Sequence, residues 1–153
     1  MTTLVSISDR IRLAHAVDPV KELASVAVLN NHNLLMGHRR DNHKWTLPGG
    51  HLDPGERPYD GAIRELWEEA GIKAGYLSLL GSERVTTFSG KTYIIHSFSL
   101  YTSGRPTSLA NDPDQEIMEW RWVPMDLDSM ELKPENLHSP RNATLKHLGL
   151  QSW

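Results

Sequence analysis

Three acidic residues, Glu65, Glu68 and Glu69, stand within five positions of one another. On an ideal helix turning about 100° per residue, they fall within an arc of about 100°. Acids three and four positions apart on a helix repel one another by roughly a few tenths of a kcal/mol per pair. Glu68 and Glu69 also lie near the end of any helix that stops at Gly71, where the helix dipole disfavours negative charge. A divalent cation on that face offsets both costs. Hard oxygen donors that leave room for water suit Mg²⁺ or Mn²⁺. Paired glutamates are equally common on solvated helix faces, so the neighbouring residues decide the case. Directly upstream lie Gly49-Gly50 and the turn signal Pro54-Gly55. Paired glycines let backbone approach a ligand closely. A glycine loop therefore runs straight into an acidic helix, with the Gly49 carbonyl available as a further ligand.

The surrounding elements must hold that loop and helix in place. Pro58 suits a first helical position and Gly71 the residue just past the end, so a helix is expected over Pro58–Ala70. Ile63, Leu66, Trp67 and Ala70 form the apolar stripe of that helix and are expected to face the core. Glu22–Leu29 reads as a buried strand, Asn30–Asn33 as a turn and Leu34–His38 as the returning strand of a hairpin. Trp45–Leu47 is a brief extended piece. Tyr76–Phe88 and Thr92–Thr102 read as strands about the turn Ser89-Gly90-Lys91, and Ile117–Val123 as a further strand. Asn142–Leu148 is expected as a short helix. Met1–Lys21 reads either as a short helix or as an irregular arm. Strands on both sides of one well-marked helix indicate an α/β fold, a mixed sheet with helices packed on it.

The segment Gly50, five residues, Glu56, seven residues, Arg64-Glu65-Leu66, one residue, Glu68-Glu69, one residue, Gly71-Ile72 resembles the Nudix box, GX5EX7REUXEEXGU with U apolar, at every specified position. Looser likenesses to Nudix domains are the strand pair before the box, the entrance Trp45-Thr46-Leu47-Pro48-Gly49-Gly50 and the late Trp120-Arg121-Trp122-Val123-Pro124. The resemblance implies a Nudix-type α/β/α sandwich with a mixed β-sheet. It also implies hydrolysis of nucleoside diphosphate-linked compounds by a metal-held water. Carried over by position, Glu65, Glu68, Glu69 and the Gly49 carbonyl hold Mg²⁺, or Mn²⁺ in its place. Glu65 also orients or deprotonates the water. Arg64 pairs with a box carboxylate, Glu56, and fixes the loop against the helix, while Gly50 and Gly71 serve the shape of the motif.

Many members of that family supply one more acid from a later loop. Asp112, Asp114, Glu116 and Glu119 lie in the right region. Glu116 is preferred because it precedes the strand carrying Trp120 and Trp122. Arg39 and Arg40, at the end of the second strand, resemble phosphate contacts in relatives, with a solvated pair as the equal alternative. His138, in Glu135-Asn136-Leu137-His138-Ser139, faintly resembles the late histidine base of GDP-mannose hydrolases. Those enzymes depart from the standard box and this chain does not, so an exposed loop histidine is the preferred reading. The proline that marks many ADP-ribose hydrolases and the tyrosine that marks diadenosine-polyphosphate hydrolases are both missing from Thr86-Thr87-Phe88-Ser89. By elimination, a (deoxy)nucleoside triphosphate pyrophosphohydrolase of MutT type is favoured. A nucleotide-sugar hydrolase, an ADP-ribose pyrophosphatase and a non-catalytic nucleotide-sensing module are the alternatives.

Composition agrees with one ordinary domain over residues 1–153. The chain is 39% hydrophobic and 23% charged, as in globular proteins. It has no cysteine, which excludes disulfides and thiolate metal sites and fits a reducing, cytoplasmic setting. No apolar run approaches the roughly 20 residues of a membrane span, and no secretory leader is read at Met1–Ala16. The net charge is −3 with mixed signs, so the expected partner is a small nucleotide rather than nucleic acid or membrane. The chain is expected to be a monomer or a homodimer.

Overall fold

The computed structural model describes residues 20–102, 116–126 and 128–150. The expected N-terminal arm or helix, all but its last two residues, and Asp112 and Asp114 lie outside the described residues. Among the described residues, seven strands form one sheet: β1 (Lys21–Asn30), β2 (Asn33–Arg39), β3 (Trp45–Thr46), β4 (Gly49–His51), β5 (Ser78–Thr86), β6 (Thr92–Tyr101) and β7 (Ile117–Pro124). Among the same residues one α-helix, α1 (Pro58–Ala70), interrupts them between β4 and β5, and three 3₁₀ segments follow β7: η1 (Met130–Leu132), η2 (Pro134–Asn136) and η3 (Arg141–Leu148).

β1 lies at the centre. It runs parallel to β6 from Lys21 to Leu29 and is flanked on its other edge by antiparallel partners, so the sheet is mixed. The β1–β2 hairpin is closed at its turn by pairs Leu29–Leu34 and Asn30–Asn33. Beyond that point the two strands part. β4 takes the free edge of β1 at Leu23–Ser25, and β3 pairs with β2 at Gly37 and His38. Val26 donates its N–H to the Pro48 carbonyl at 2.9 Å, filling the wedge. The glycine loop is therefore built into the middle of the sheet.

Burial of β1 on both faces follows from its apolar run. Ala24, Val26 and Val28 pack with Leu66, Ala62, Ala70 and Phe98 on the α1 side. Ala27 and Leu29 pack with Met36, Leu47, Leu137 and Leu145 on the side of the 3₁₀ segments. The result is a layered sandwich with α1 on one face and η1–η3 on the other. The expected strands and helix are all present. The expected short helix at Asn142–Leu148 is a 3₁₀ segment that begins one residue earlier, at Arg141. One expectation needs correction. The buried face of α1 comprises Gly61, Ala62, Leu66, Glu69 and Ala70, while Trp67 is 47% exposed. That face is turned by about a quarter turn from the expected stripe, toward the glutamates. Gly61 and Ala62 have little or no side chain, and Gly61 lies directly against Leu52 and Glu56 of the segment that enters α1.

Candidate active site

The acidic residues are positioned by α1 and by the loop that enters it. Pro58 occupies the first turn, where its missing N–H costs nothing. The helix stops at Gly71, whose φ of 68° is open to glycine. Gly71 donates to the Trp67 carbonyl at 2.9 Å and Ile72 to that of Leu66 at 3.3 Å, the first being the bond of a left-handed glycine cap. Gly50 has a different reason: a Cβ there would meet the Glu65 carboxyl at 2.5–2.6 Å. The Glu65 side chain lies directly against loop backbone.

A cavity of about 290 Å³ opens between loop and helix. Gly49, Gly50, Arg64, Glu65, Glu68 and Glu69 all line it, as do Glu116 from just before β7 and Arg141 from η3. The expected motif residues and the expected later acid are thus brought together. Arg39 and Arg40 do not line it. Arg39 is 8% exposed and forks onto Asp41 at 2.9 and 2.8 Å. Its other nitrogen lies 4.0 Å from Glu116, so Arg39 backs the wall beside Glu116. That fork holds the Asp41 carboxyl at about 2, well below its ordinary range. Arg40 donates its backbone N–H to the Glu116 carbonyl at 2.8 Å and so fixes the entry to β7. His138 also lies outside the cavity lining; its Nδ1 accepts from Asn42 at 3.0 Å. Burial pushes the His138 ring down to about 4, helped by Arg39 and Arg141.

Arg64 organises the loop. Its Nε and Nη2 donate to the two oxygens of Glu56, both at 2.8 Å. Nη2 also donates to the His51 carbonyl at 3.1 Å, and Nη1 to Glu65 at 2.9 Å and Glu68 at 3.0 Å. Glu56 in turn accepts the Asp53 N–H at 2.9 Å. The fork on Arg64 holds Glu56 at about 2. Glu65 goes the other way: burial raises it, with Arg64 opposing. Glu69 is buried and accepts from Gly49 N–H at 3.1 Å and Arg141 Nη1 at 3.2 Å. Burial nevertheless pushes its carboxyl up to about 7. Among the described residues, no three acidic or histidine side chains are gathered tightly enough to chelate an ion as they stand. The geometry gives the reason: Arg64 draws Glu65 and Glu68, and Arg141 draws Glu69.

Arg141 is the site residue that sequence reasoning missed. It lies 72 positions beyond Glu69, outside any motif. The only available signal was a lone arginine after Ser139-Pro140 in an otherwise unremarkable segment.

A mixed sheet between one helix and a layer of 3₁₀ segments, with a glycine loop delivered into an acidic helix, defines the class: an α/β/α sandwich with its site at the loop–helix junction. The chain belongs to the NUDIX family, whose domain model matches residues 21–146. A MutT-like protein of Streptomyces ambofaciens is 43% identical over 42% of this chain and 42% of its own length. The RNA pyrophosphohydrolase of Bartonella quintana is 30% identical over 56% of this chain and 59% of its own. The chain thus spans about half the length of these relatives. A NUDIX hydrolase from Nitrosomonas europaea superposes with a TM-score of 0.71 over 86% of this chain and 88% of its own, at 21% identity; that likeness is one of fold. No helix among the described residues is long and apolar enough to cross a membrane.

Proposed function

We propose that this chain is a divalent-cation-dependent hydrolase of nucleoside diphosphate-linked compounds, and that its substrate is a (deoxy)nucleoside triphosphate. The observation that carries the reading is the gathering of Glu65, Glu68, Glu69 and Glu116 around one cavity beside Gly49 and Gly50. The donor set fits a hard cation. It is all oxygen, and burial lifts Glu65 and Glu69 although Arg64 and Arg141 oppose the shift, as expected where loss of water outweighs a single guanidinium partner. Glu65, Glu68, Glu69 and the Gly49 carbonyl would hold Mg²⁺ or Mn²⁺. When bound, the cation supplies charge neutralisation along the phosphate chain and a water of lowered pKa. Arg64 braces Glu65 and Glu68 against the loop. Glu65 and Glu116 both reach the cavity and are the carboxylates assigned to orient the attacking water and take its proton. Water oxygen bonds to phosphorus, one P–O–P bridge breaks, and nucleoside monophosphate and pyrophosphate leave.

The name of the Streptomyces relative, MutT-like, and the Bartonella relative's action on a pyrophosphate bond support this choice of chemistry. His138 lies outside the cavity lining, which gives no support to a nucleotide-sugar reaction using a late histidine base. The test is a panel of NTPs, dNTPs, oxidised dNTPs, ADP-ribose, dinucleoside polyphosphates and GDP-sugars with Mg²⁺, followed by product analysis in ¹⁸O-water. The expected result is monophosphate plus pyrophosphate from a triphosphate, stopped by chelator, with the label in a phosphate product. Nucleotide-dependent thermal stabilisation without any turnover would replace this reading by a sensing module.

A further inference from the structure

Arg141 is 5% exposed and opens η3 at the wall of the cavity. Its Nη1 faces four oxygens: the Leu47 carbonyl and Glu69 Oε1, each at 3.2 Å, and, more weakly, Thr46 Oγ1 and Glu69 Oε2, each at 3.5 Å. Its buried Nε has no partner. A buried ion pair is weak evidence for stability, and an unpaired buried donor is a cost that native structures seldom keep without a reason. Packing alone does not account for a guanidinium here.

What the guanidinium does is visible on Glu69. Oε1 accepts both Gly49 N–H at 3.1 Å and Arg141 Nη1 at 3.2 Å. Oε2 has a single long contact to Nη1 at 3.5 Å. The two oxygens are therefore unequal, one clamped inside the protein and one nearly free on a residue that lines the cavity. The clamp also spans the fold: strand β3, helix α1 and segment η3 meet at one nitrogen.

We propose that Arg141 is a positioning residue for the cation site. It clamps Glu69 through Oε1 so that Oε2 is presented to the cavity, which makes the segment after Pro140 part of the site although it lies far outside the box. The proposal rests on the cation reading above. A partner that orients a metal ligand through its second atom commonly contributes about 10–100-fold to metal affinity.

The test reads Mn²⁺ binding directly, by electron paramagnetic resonance of free Mn²⁺ at one pH and without substrate. Arg141→Ala is expected to weaken binding by about 10–100-fold, and millimolar methylguanidinium to restore part of the loss. Arg141→Lys is expected to lose less, since an ammonium is a point charge and lacks the planar fork. Thermal unfolding of the metal-free proteins checks that each variant is folded. A folded Arg141→Ala protein with unchanged Mn²⁺ affinity overturns the proposal. If that variant does not fold, Arg141→Lys carries the test, and affinity within about twofold of the parent overturns it. Glu68→Gln separates the two readings. If it loses Mn²⁺ while the Arg141 variants keep it, only the role of Arg141 falls. If the parent chain binds no Mn²⁺, the cation reading falls with it.

Discussion

Glu56→Gln isolates the brace from the groups it supports. Glu56 is only 15% exposed in its side chain and receives both arms of the Arg64 fork at 2.8 Å. An amide keeps one acceptor oxygen but turns an NH₂ toward a donor, so one charge-assisted bond is lost and the ion pair is neutralised. Hydrogen bonds to charged groups contribute about 1.5–3 kcal/mol. Partial solvation of Arg64, 26% exposed, lowers the expected cost to about 2 kcal/mol. For a chain of this size that is a fall in Tm of about 4–8 °C. The effect has a pH signature. Arg64 holds the folded Glu56 at about 2, against an ordinary 4.5. Its contribution is therefore fully present above pH 4.5 and is lost as pH falls toward 2. The gap between parent and variant should be constant from pH 8 to pH 5.5 and close progressively below that. Activity should fall as well, because the same arginine aims Glu65 and Glu68, and a misplacement of about 1 Å can cost about 100-fold. Calorimetry across pH with a steady-state assay on the same preparations measures both. A variant as stable and as active as the parent at pH 7 would refute the reasoning.

Three further outcomes follow from the same geometry. Glu68 is 39% exposed and, among the described residues, bonded at 3.0 Å only to Arg64, so Glu68→Gln should change stability by less than about 0.5 kcal/mol. It should nevertheless reduce hydrolysis by about 100-fold or more, and full activity would sink its assignment to the cation. Gly50→Ala should fold, because the atoms it meets, at 2.5–2.6 Å, are the far end of the Glu65 side chain; turnover should drop as that carboxyl is pushed aside, and unchanged kinetics would refute the close-contact argument. His138 sits at about 4 in the folded chain, lowered by burial and by Arg39, Arg141 and Lys44, with Asp41 opposing. The folded state resists its protonation, so stability present above pH 6.5 should be lost between 6.5 and 4, by about 1–2 kcal/mol after allowing for partial exposure; urea unfolding of His138→Gln should lack that loss, and an identical acid response would refute it.

The sequence carried the local features well because their causes are local. Pro58 and Gly71 bound α1 by backbone conformation alone, and the Asn30–Asn33 turn and the apolar run of β1 needed no partner to be recognised. Contacts between distant segments were not legible. Trp67 reads as core from its periodicity, yet the face of α1 that packs is set by distant partners: Leu52 and Glu56 lie against Gly61, and β1 packs on Ala62. Glu69, read from the same periodicity as a cation ligand, is 4% exposed, a burial that the helix pattern alone does not reveal. Arg39 reads as a phosphate contact or, equally, a solvated cation at a strand end, yet Asp41 and Glu116 close around it. Arg141 has no local signature at all, since its meaning lies in Thr46, Leu47 and Glu69, all of them 72 or more positions away.

The opposite shifts of Glu56 and Glu65 show how one arginine divides its work. Both carboxylates bond to Arg64, at 2.8 and 2.9 Å. Glu56 receives two of its arms and is held at about 2, which makes it a permanent anchor for the loop. Glu65 receives one arm, shared with Glu68, and lies against the backbone of Gly50. There the loss of water outweighs the arginine, and its carboxyl is raised. Glu69 repeats the pattern with Arg141. Five cavity carboxylates, Asp53, Glu65, Glu68, Glu69 and Glu116, thus face two guanidiniums, one of them already committed to Glu56. Each arginine fixes a carboxylate in direction without satisfying its charge. A site built for stability would match its charges; this one leaves a deficit of positive charge beside the glycine loop, which is the deficit that the proposed cation supplies.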